Sequence, residues 1–245
     1  MTYVARADAL EIVGARVKDA DVVLDLGSGI MPQPFVKRPL LHLCVDAHRP
    51  YLERLKSDVG TDPRYLFLNG RWDEVMPMLP DDSVDSVFAL DFIEHLEKED
   101  GLRMLREAER VARLQVVVYT PNGFFPQTHQ PGEPDRWGLD GGSWQTHRSG
   151  WTVDDFGDRW SFVISPDFIL LDEHNAPLET PMGALWAIRD LGEAKERRYL
   201  LMEDRSVWSH TKRALEHALP ASMYAFLRGS WLRLRRAAAP VRKRP

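Results

Sequence analysis

The residues best suited to hold a ligand form a glycine turn, Gly27-Ser28-Gly29, directly after the apolar stretch of residues 22–26. An apolar stretch of this length predicts a buried strand, and glycines at its end let the backbone approach a bound molecule closely. In open α/β sheets, ligands bind at the carboxyl ends of such strands. The turn, together with Asp25 just before it, therefore predicts a nucleotide site.

The residues after the turn indicate which nucleotide fits. Dinucleotide fingerprints have a third glycine where this chain has Pro32, and that glycine lets a helix pack against the strand beneath a pyrophosphate. Pro32 therefore disfavours NAD and FAD. Asp46 ends the next predicted strand, 17 residues after Gly29. An acid in this place accepts hydrogen bonds from two ribose hydroxyls, and a surface aspartate at a strand end is the alternative.

A third group of candidates, Asn69-Gly70-Arg71-Trp72, follows the third predicted strand. A backbone amide in this group could meet an adenine, and Trp72 could stack on the base. A plain core role for the Trp72 ring is the alternative.

The elements that must position these residues follow from hydrophobic periodicity. Apolar runs alternate with helical patterns, which predicts parallel βαβ units and an α/β, doubly wound, mostly parallel sheet of seven strands. The predicted strands span residues 22–26, 40–45, 65–68, 84–90, 116–120, 162–171 and 184–188. Helices are predicted at residues 49–59 and 98–114. A capping box at Thr152 predicts a further short helix. Residues 122–151 lack periodicity, which predicts an irregular lid insertion.

With Asp91-Phe92-Ile93-Glu94-His95-Leu96 after the fourth strand, the glycine turn and Asp46 resemble class I S-adenosylmethionine-dependent methyltransferases. The resemblance covers about residues 20–121. It implies that Asp25 and the two glycines surround the methionine part of S-adenosylmethionine and that Asp46 binds its ribose. Asp91 and Phe92 would lie under the sulfonium and the acceptor. The cofactor-binding residues predicted in this way are Asp25, Gly27, Ser28, Gly29, Asp46, Arg71, Trp72, Asp91 and Phe92.

Two positions depart from the pattern of this family. Pro32 and Pro34 stand where its first long helix usually begins, and only ten residues separate Gly29 from Leu40. We therefore expect that helix to be short or displaced. The family often has an acid near position 71 for the adenine amine, whereas Asp73 comes two positions later, so the contacts of the adenine stay open.

The family implies a methyl displacement, which requires a nucleophile held in line with the carbon–sulfur bond. A hydroxyl acceptor must also lose a proton, and histidine is the usual base near neutral pH. His95 follows the fourth strand, and His129 and His147 lie in the irregular segment. We predict His95 and His147 as bases and Asp91 as the residue that orients the acceptor. Structural hydrogen bonds are the alternative for each of them. Glu94 beside His95 is only a weak metal-binding signal, and no metal site is predicted.

Charge is divided unevenly along the chain. Residues 205–245 carry ten Lys and Arg against one acid, so the rest of the chain holds a net charge of −14. This acidic body disfavours nucleic acid as a substrate. Residues 221–236 predict a basic amphipathic helix, suited to peripheral membrane contact, to packing on the body or in a dimer, or to binding nucleic acid. A single cysteine, Cys44, excludes a disulfide framework.

We therefore expect a methyltransferase domain over residues 1–190, with the lid insertion at about 122–151, followed by a helical basic extension over 191–245. The predicted activity is S-adenosylmethionine-dependent methyl transfer to a small-molecule or glycan acceptor, at a hydroxyl oxygen. The alternatives are a cofactor-binding scaffold without turnover and a nicotinamide-dependent oxidoreductase. The N-terminus has no signal-peptide pattern, which predicts a cytoplasmic protein, with membrane contact through the tail as a further expectation.

Overall fold

The described part of the chain is built around one eight-stranded sheet. The computed structural model describes residues 1–130 and 133–192. In chain order the strands are β1 (Thr2–Tyr3), β2 (Val22–Leu26), β3 (Leu41–Asp46), β4 (Tyr65–Asn69), β5 (Val84–Leu90), β6 (Ala112–Pro121), β7 (Ser161–Leu171) and β8 (Pro177–Asp190). The α/β class is confirmed, but the count of seven strands is wrong, because the two-residue β1 also pairs with β7.

The order of the strands brings the ends of the predicted strands to one edge. It runs β1-β7-β8-β6-β5-β2-β3-β4. The five strands from β2 to β6 are mutually parallel, while β8 runs antiparallel to both β6 and β7. The carboxyl ends of β2 to β6 therefore lie side by side, and the residues that follow them can form one site.

Within these described residues, four α-helices accompany the sheet: α1 (Ala9–Gly14), α2 (Arg49–Val59), α3 (Trp72–Val75) and α4 (Lys98–Val111). The predicted span of α2 is confirmed. The prediction of a helix over residues 98–114 is wrong at its end. Ala112 already has extended backbone angles and pairs with Val84, so the chain passes directly from α4 into β6.

The sheet is buried on both faces, which explains the nearly continuous apolar runs of β2, β5 and β6. The largest core cluster includes residues of these strands together with the buried stripe of α4, whose members are Met104, Leu105, Ala108 and Val111. Burial of this stripe fixes α4 against the sheet because each large apolar side chain contributes roughly 1.5–3 kcal/mol when removed from water.

Residues 27–40 form turns and bends without a helix, whereas Pro32 and Pro34 had predicted a short or displaced one. The side chain of Gln33 organises this stretch: its Oε1 accepts hydrogen bonds from the backbone N–H groups of Phe35 and Val36 at 2.8 and 2.9 Å. The backbone N–H of Gln33 donates to Asp25 Oδ2 at 2.7 Å. Side-chain hydrogen bonds thus replace the helix that would otherwise follow the glycine turn.

The second half of the domain differs from the prediction mainly in length. β8 spans 14 residues, many more than the predicted 184–188, because it pairs with β6 and β7 at once. Within residues 122–151, the only regular element in the described part is a 3-10 turn at Gly142–Trp144. The capping box at Thr152 opens another 3-10 turn, Val153–Asp155.

The predicted basic extension lies almost entirely outside the described residues, so the domain boundary and the tail helix stay predictions. In the described part of the chain, no helix is long and apolar enough to cross a membrane.

Candidate functional site

The glycine turn after β2 adopts the conformation that its sequence predicts. Gly27 and Gly29 have φ angles of 63° and 55°, in the left-handed region that L side chains rarely adopt. The Gly27 N–H donates to Val45 O at 2.8 Å, which holds the turn against the end of β3. A Cβ atom added to Gly27 would collide with the ring of Phe92. Backbone angle and packing therefore both require glycine at position 27.

Two buried carboxylates, Asp46 and Asp25, lie beside the turn, and Asp46 holds it in place. Asp46 accepts hydrogen bonds from the N–H of Gly29 at 3.0 Å, through Oδ2, and from the N–H of His48 at 2.8 Å, through Oδ1. Burial raises the pKa of Asp46, against the lowering effect of these two N–H groups. Asp25 instead points its Oδ2 to Gln33 N and to His42 Nε2, the latter at 3.1 Å. Two groups of the protein thus occupy Oδ2 of Asp25. Each Asp46 oxygen accepts only one of the hydrogen bonds described and keeps a second lone pair for a ligand.

A cavity of about 610 Å³ opens beside this turn. It is lined by all the residues predicted from sequence to bind a cofactor, together with His95, and also by residues of the 122–151 segment. Those predicted residues are Asp25, Gly27, Ser28, Gly29, Asp46, Arg71, Trp72, Asp91 and Phe92. The sheet brings them together from the ends of β2, β3, β4 and β5.

Trp72 belongs to the hydrophobic core and also lines the cavity. A core role and contact with a bound base, the two alternatives for this residue, are therefore compatible. Its Nε1 is buried and has no hydrogen-bond partner among the described residues. Arg71 forms an ion pair with Asp73 at 2.9 Å on the exposed side of the turn. Asp73, which lies two positions after the place where the family often has an acid for the adenine amine, does not line the cavity.

Asp91 lies where two cavities meet. It follows β5 with a φ of 55°, and its N–H donates to Tyr119 O at 3.0 Å. A second, smaller cavity of about 130 Å³ is lined by Asp91 and Tyr119, which also line the larger one. The second cavity further contains His129, His147 and polar groups such as Glu173. Tyr119 carried no sequence signal beyond its place near the end of a predicted strand.

The two histidines predicted as bases lie next to each other, with ring centroids 4.9 Å apart. His95 donates from Nδ1 to Thr146 O at 3.2 Å, and His147 donates from Nδ1 to Phe125 O at 2.7 Å. Burial lowers the pKa of His95 to about 4 and also lowers the pKa of His147. Both rings are therefore neutral near pH 7, and the carbonyls that they face place the proton on Nδ1.

Glu94 is a site residue that the sequence indicated only weakly. It is 1% exposed, and neither carboxylate oxygen has a hydrogen-bond partner among the described residues. Burial and the charge of Asp91 raise its pKa well above the usual value. One oxygen of Glu94, one ring nitrogen of His95 and one of His147 all lie within 4.8 Å of each other. The only sequence signal was the adjacency of Glu94 and His95.

The segment of residues 122–151 is held over the cavities by polar side chains and backbone contacts. Asp135 accepts four hydrogen bonds, from the N–H groups of Trp137, Leu139 and Gly141 and from the hydroxyl of Tyr51 on α2. At the other end, the N–H groups of residues 148 and 149 donate to the carbonyl of Glu94 at 2.8 and 3.1 Å. The segment therefore brings His147 to His95 through fixed contacts rather than through regular structure.

His129 differs from the other two histidines. Both of its ring nitrogens are buried without a hydrogen-bond partner in the described residues, and its ring lines the smaller cavity. The structural hydrogen bond that served as the alternative for this residue is therefore absent from the described part of the chain.

Comparison with known proteins places the fold. A family model described as a methyltransferase domain matches residues 24–119. No curated protein matches the chain. The YcgJ protein of Bacillus subtilis is similar in structure, with a TM-score of 0.50, 14% identity, and coverage of 77% of this chain and 100% of that chain. An S-adenosylmethionine-dependent methyltransferase of Mesorhizobium loti covers 76% of this chain and 98% of its own length, at 17% identity and a TM-score of 0.49.

Proposed function

We propose that the chain is a class I S-adenosylmethionine-dependent methyltransferase that methylates a hydroxyl oxygen of a small-molecule or glycan acceptor, because the model of a methyltransferase domain matches residues 24–119. One observation carries the proposal. The cofactor-sized cavity and a smaller, polar cavity meet at Asp91, at the carboxyl edge of the sheet. A methyl donor in the first and an acceptor in the second would face each other there.

The residues around the larger cavity fit S-adenosylmethionine. The turn at Gly27 and Gly29 presents backbone without side chains, which suits the methionine part of the cofactor. Asp46 keeps acceptor lone pairs on both oxygens after binding two N–H groups, which suits two ribose hydroxyls. Trp72 lines the same cavity and offers aromatic surface for the adenine.

The smaller cavity supports a hydroxylated acceptor. Hydrogen-bonding side chains from three separate stretches converge there, including Gln127, His147 and Glu173, and Phe125 and Trp137 contribute aromatic surface. Sugars and other polyols bind well to such a combination, because their hydroxyls need polar partners and their carbon–hydrogen faces pack on rings. The acidic body disfavours a nucleic-acid acceptor, as the sequence predicted.

The chain's own residues would then position and deprotonate the acceptor. Bound S-adenosylmethionine supplies an electrophilic methyl group on a leaving group that departs as a neutral thioether. Asp91 and Tyr119 line both cavities, so they would hold the acceptor hydroxyl near the methyl carbon. Neutral His95 or His147, or the carboxylate of Asp91, would accept the hydroxyl proton. The 122–151 segment would exclude water from the junction.

Calorimetry with S-adenosylmethionine, and with NAD for comparison, tests the cofactor. Binding of NAD without binding of S-adenosylmethionine would overturn the proposal in favour of an oxidoreductase. A panel of hydroxylated acceptors, sugars included, then tests turnover, with NMR of the product to identify the methylated atom. Product methylated at oxygen supports the proposal. Cofactor binding without methyl release over the whole panel would favour a scaffold without turnover.

A further inference from the structure

Three side chains converge between the two cavities in a way that the methyl-transfer proposal does not explain. A carboxylate oxygen of Glu94 and one ring nitrogen each of His95 and His147 lie within 4.8 Å of one another. Glu94 and His95 come from the turn after β5, and His147 comes from the 122–151 segment, more than fifty residues later in the chain. Two imidazoles and a carboxylate form a common ligand set for first-row divalent metal ions.

Glu94 supplies the second, independent observation. Its side chain is 1% exposed, and both oxygens lack a hydrogen-bond partner among the described residues. A buried carboxylate without a partner is costly, so its presence in a folded domain requires an explanation. Asp91 lies beside Glu94 and adds negative charge, and the neighbouring Thr120 hydroxyl brings no charge that could balance either acid. A cation would compensate both charges.

Backbone carbonyls fix the rings of both histidines. Each donates its Nδ1 hydrogen to a backbone carbonyl, that of Thr146 for His95 and that of Phe125 for His147. In this tautomer the lone pair is on Nε2, and the ring cannot rotate without breaking the bond. Metal-bound histidines are usually fixed in this way by a carbonyl or carboxylate on their other nitrogen.

We propose that Glu94, His95 and His147 form a binding site for one first-row divalent transition-metal ion, located between the two cavities. The chain holds a second cluster of ligand types, Asp25, His42 and Cys44, that serves as a contrast. There, Asp25 already bonds to His42 and to Gln33, so its charge is compensated. Only the cluster around Glu94 leaves its carboxylate without a partner in the described residues.

The role of the ion in catalysis rests on the proposed function. An acceptor hydroxyl bound to the ion would be more acidic. It would give its proton to Asp91 and form the oxygen–methyl bond as the electron pair of the carbon–sulfur bond passes to sulfur. The imidazoles would then serve as ligands, and the ion would replace them in activating the hydroxyl.

Cobalt(II) titration of the purified full-length protein, stripped with a chelator, tests the site directly. We expect one Co²⁺ per chain, with a visible absorption band from nitrogen and oxygen ligands. Glu94→Gln and His147→Ala should each weaken Co²⁺ binding at least about 100-fold, since loss of even an outer partner costs 10- to 100-fold. His174→Ala, at a histidine whose side chain is 69% exposed, is the matched control and should bind as the wild type does.

Circular dichroism and S-adenosylmethionine affinity show whether the variants are folded. If a variant does not fold, the wild-type titration still decides, because a wild type that binds no Co²⁺ overturns the site. Co²⁺ binding that is unchanged in both folded variants overturns it as well. Cofactor binding without cobalt binding would reject the metal site and leave the proposed function standing. Cobalt binding without any methyl transfer would support the metal site and reject the proposed function.

Discussion

The carboxyl edge of the sheet and the 122–151 segment build the two sides of one site by different means. At the edge, strand register and left-handed glycines place the backbone, and Gly29 is bonded to Asp46 on the neighbouring strand. The segment has almost no regular structure in its described residues and depends on single side chains such as Asp135, which accepts four hydrogen bonds. A periodic pattern therefore specifies one side, and individual polar contacts specify the other.

The difference predicts that changes at the edge mainly affect the cofactor, whereas changes that anchor the segment mainly affect stability and the acceptor. Four substitutions test this contrast.

Gly27→Val should have the largest effect. It places a β-branched side chain at a φ of 63° and drives its Cβ into the Phe92 ring. Strain of this kind costs about 1–3 kcal/mol before the collision is counted. We expect S-adenosylmethionine affinity to fall by at least about 100-fold in calorimetry.

The control for Gly27→Val is Gly157→Ala, at a φ of 76° with nothing within 4 Å of an added Cβ. It should lower the free energy of unfolding by about 1 kcal/mol and leave cofactor affinity unchanged. Equal losses of affinity in the two variants would contradict the role assigned to the turn.

Asp46→Asn should come next. An amide replaces one of the two oxygens that accept from Gly29 and His48, so an NH₂ group would face a backbone N–H. Hydrogen bonds to charged groups contribute about 1.5–3 kcal/mol, which corresponds to an affinity loss of roughly 10- to 100-fold. Asp81→Asn, at a side chain that is 76% exposed, is the control. Undiminished cofactor affinity in Asp46→Asn would remove Asp46 from the ribose site.

Gly101→Ala tests the contact between α4 and Trp151, the last residue of the 122–151 segment. Alanine normally stabilises a helix by about 1 kcal/mol relative to glycine. Here the added Cβ would collide with the buried ring of Trp151, so we expect a loss of about 1–3 kcal/mol in urea unfolding. In a Trp151→Leu background the same change should cost much less. An equal cost in both backgrounds would mean that the ring does not cause the loss.

Asp135→Asn should have the smallest effect, a loss of about 1–2 kcal/mol, with a higher KM for the acceptor. Tyr51→Phe removes one of the four hydrogen bonds and should cost less. Burial opposes the shift, but the hydrogen bonds from Leu139, Tyr51 and the other donors lower the pKa of Asp135. Its contribution is therefore complete above the ordinary aspartate pKa of about 3.9 and is lost as the pH falls through the lower folded value.

The pH dependence of this variant gives a sharp check. The stability difference between wild type and Asp135→Asn should be present at neutral pH and should shrink once the pH falls below about 4. Urea unfolding of both proteins across this range measures it. A difference that grows on acidification would show that the carboxylate is not the form that anchors the segment.

The sequence by itself determined the α/β fold and many of the residues that line the larger cavity. The positions of β2, α2 and β5 could be predicted because their apolar side chains repeat with the period of a regular backbone. Disruption of the helix after Gly29 could be predicted too, since Pro32 and Pro34 act locally, although a short or displaced helix was expected rather than none. All nine predicted cofactor residues line one cavity because each lies at or just beyond the carboxyl end of a parallel strand, and such ends meet at one edge.

Tertiary structure alone decided what residues 122–151 do. Nothing periodic in that stretch shows that Asp135 meets Tyr51, or that His147 lies 4.9 Å from His95. Such contacts join residues distant in the chain through single hydrogen bonds, and they leave no repeating pattern. The end of α4 and the length of β8 were decided in the same way, by pairing between strands. Glu94 looked like one acid beside a histidine until the fold buried it without a partner and brought a second histidine to it.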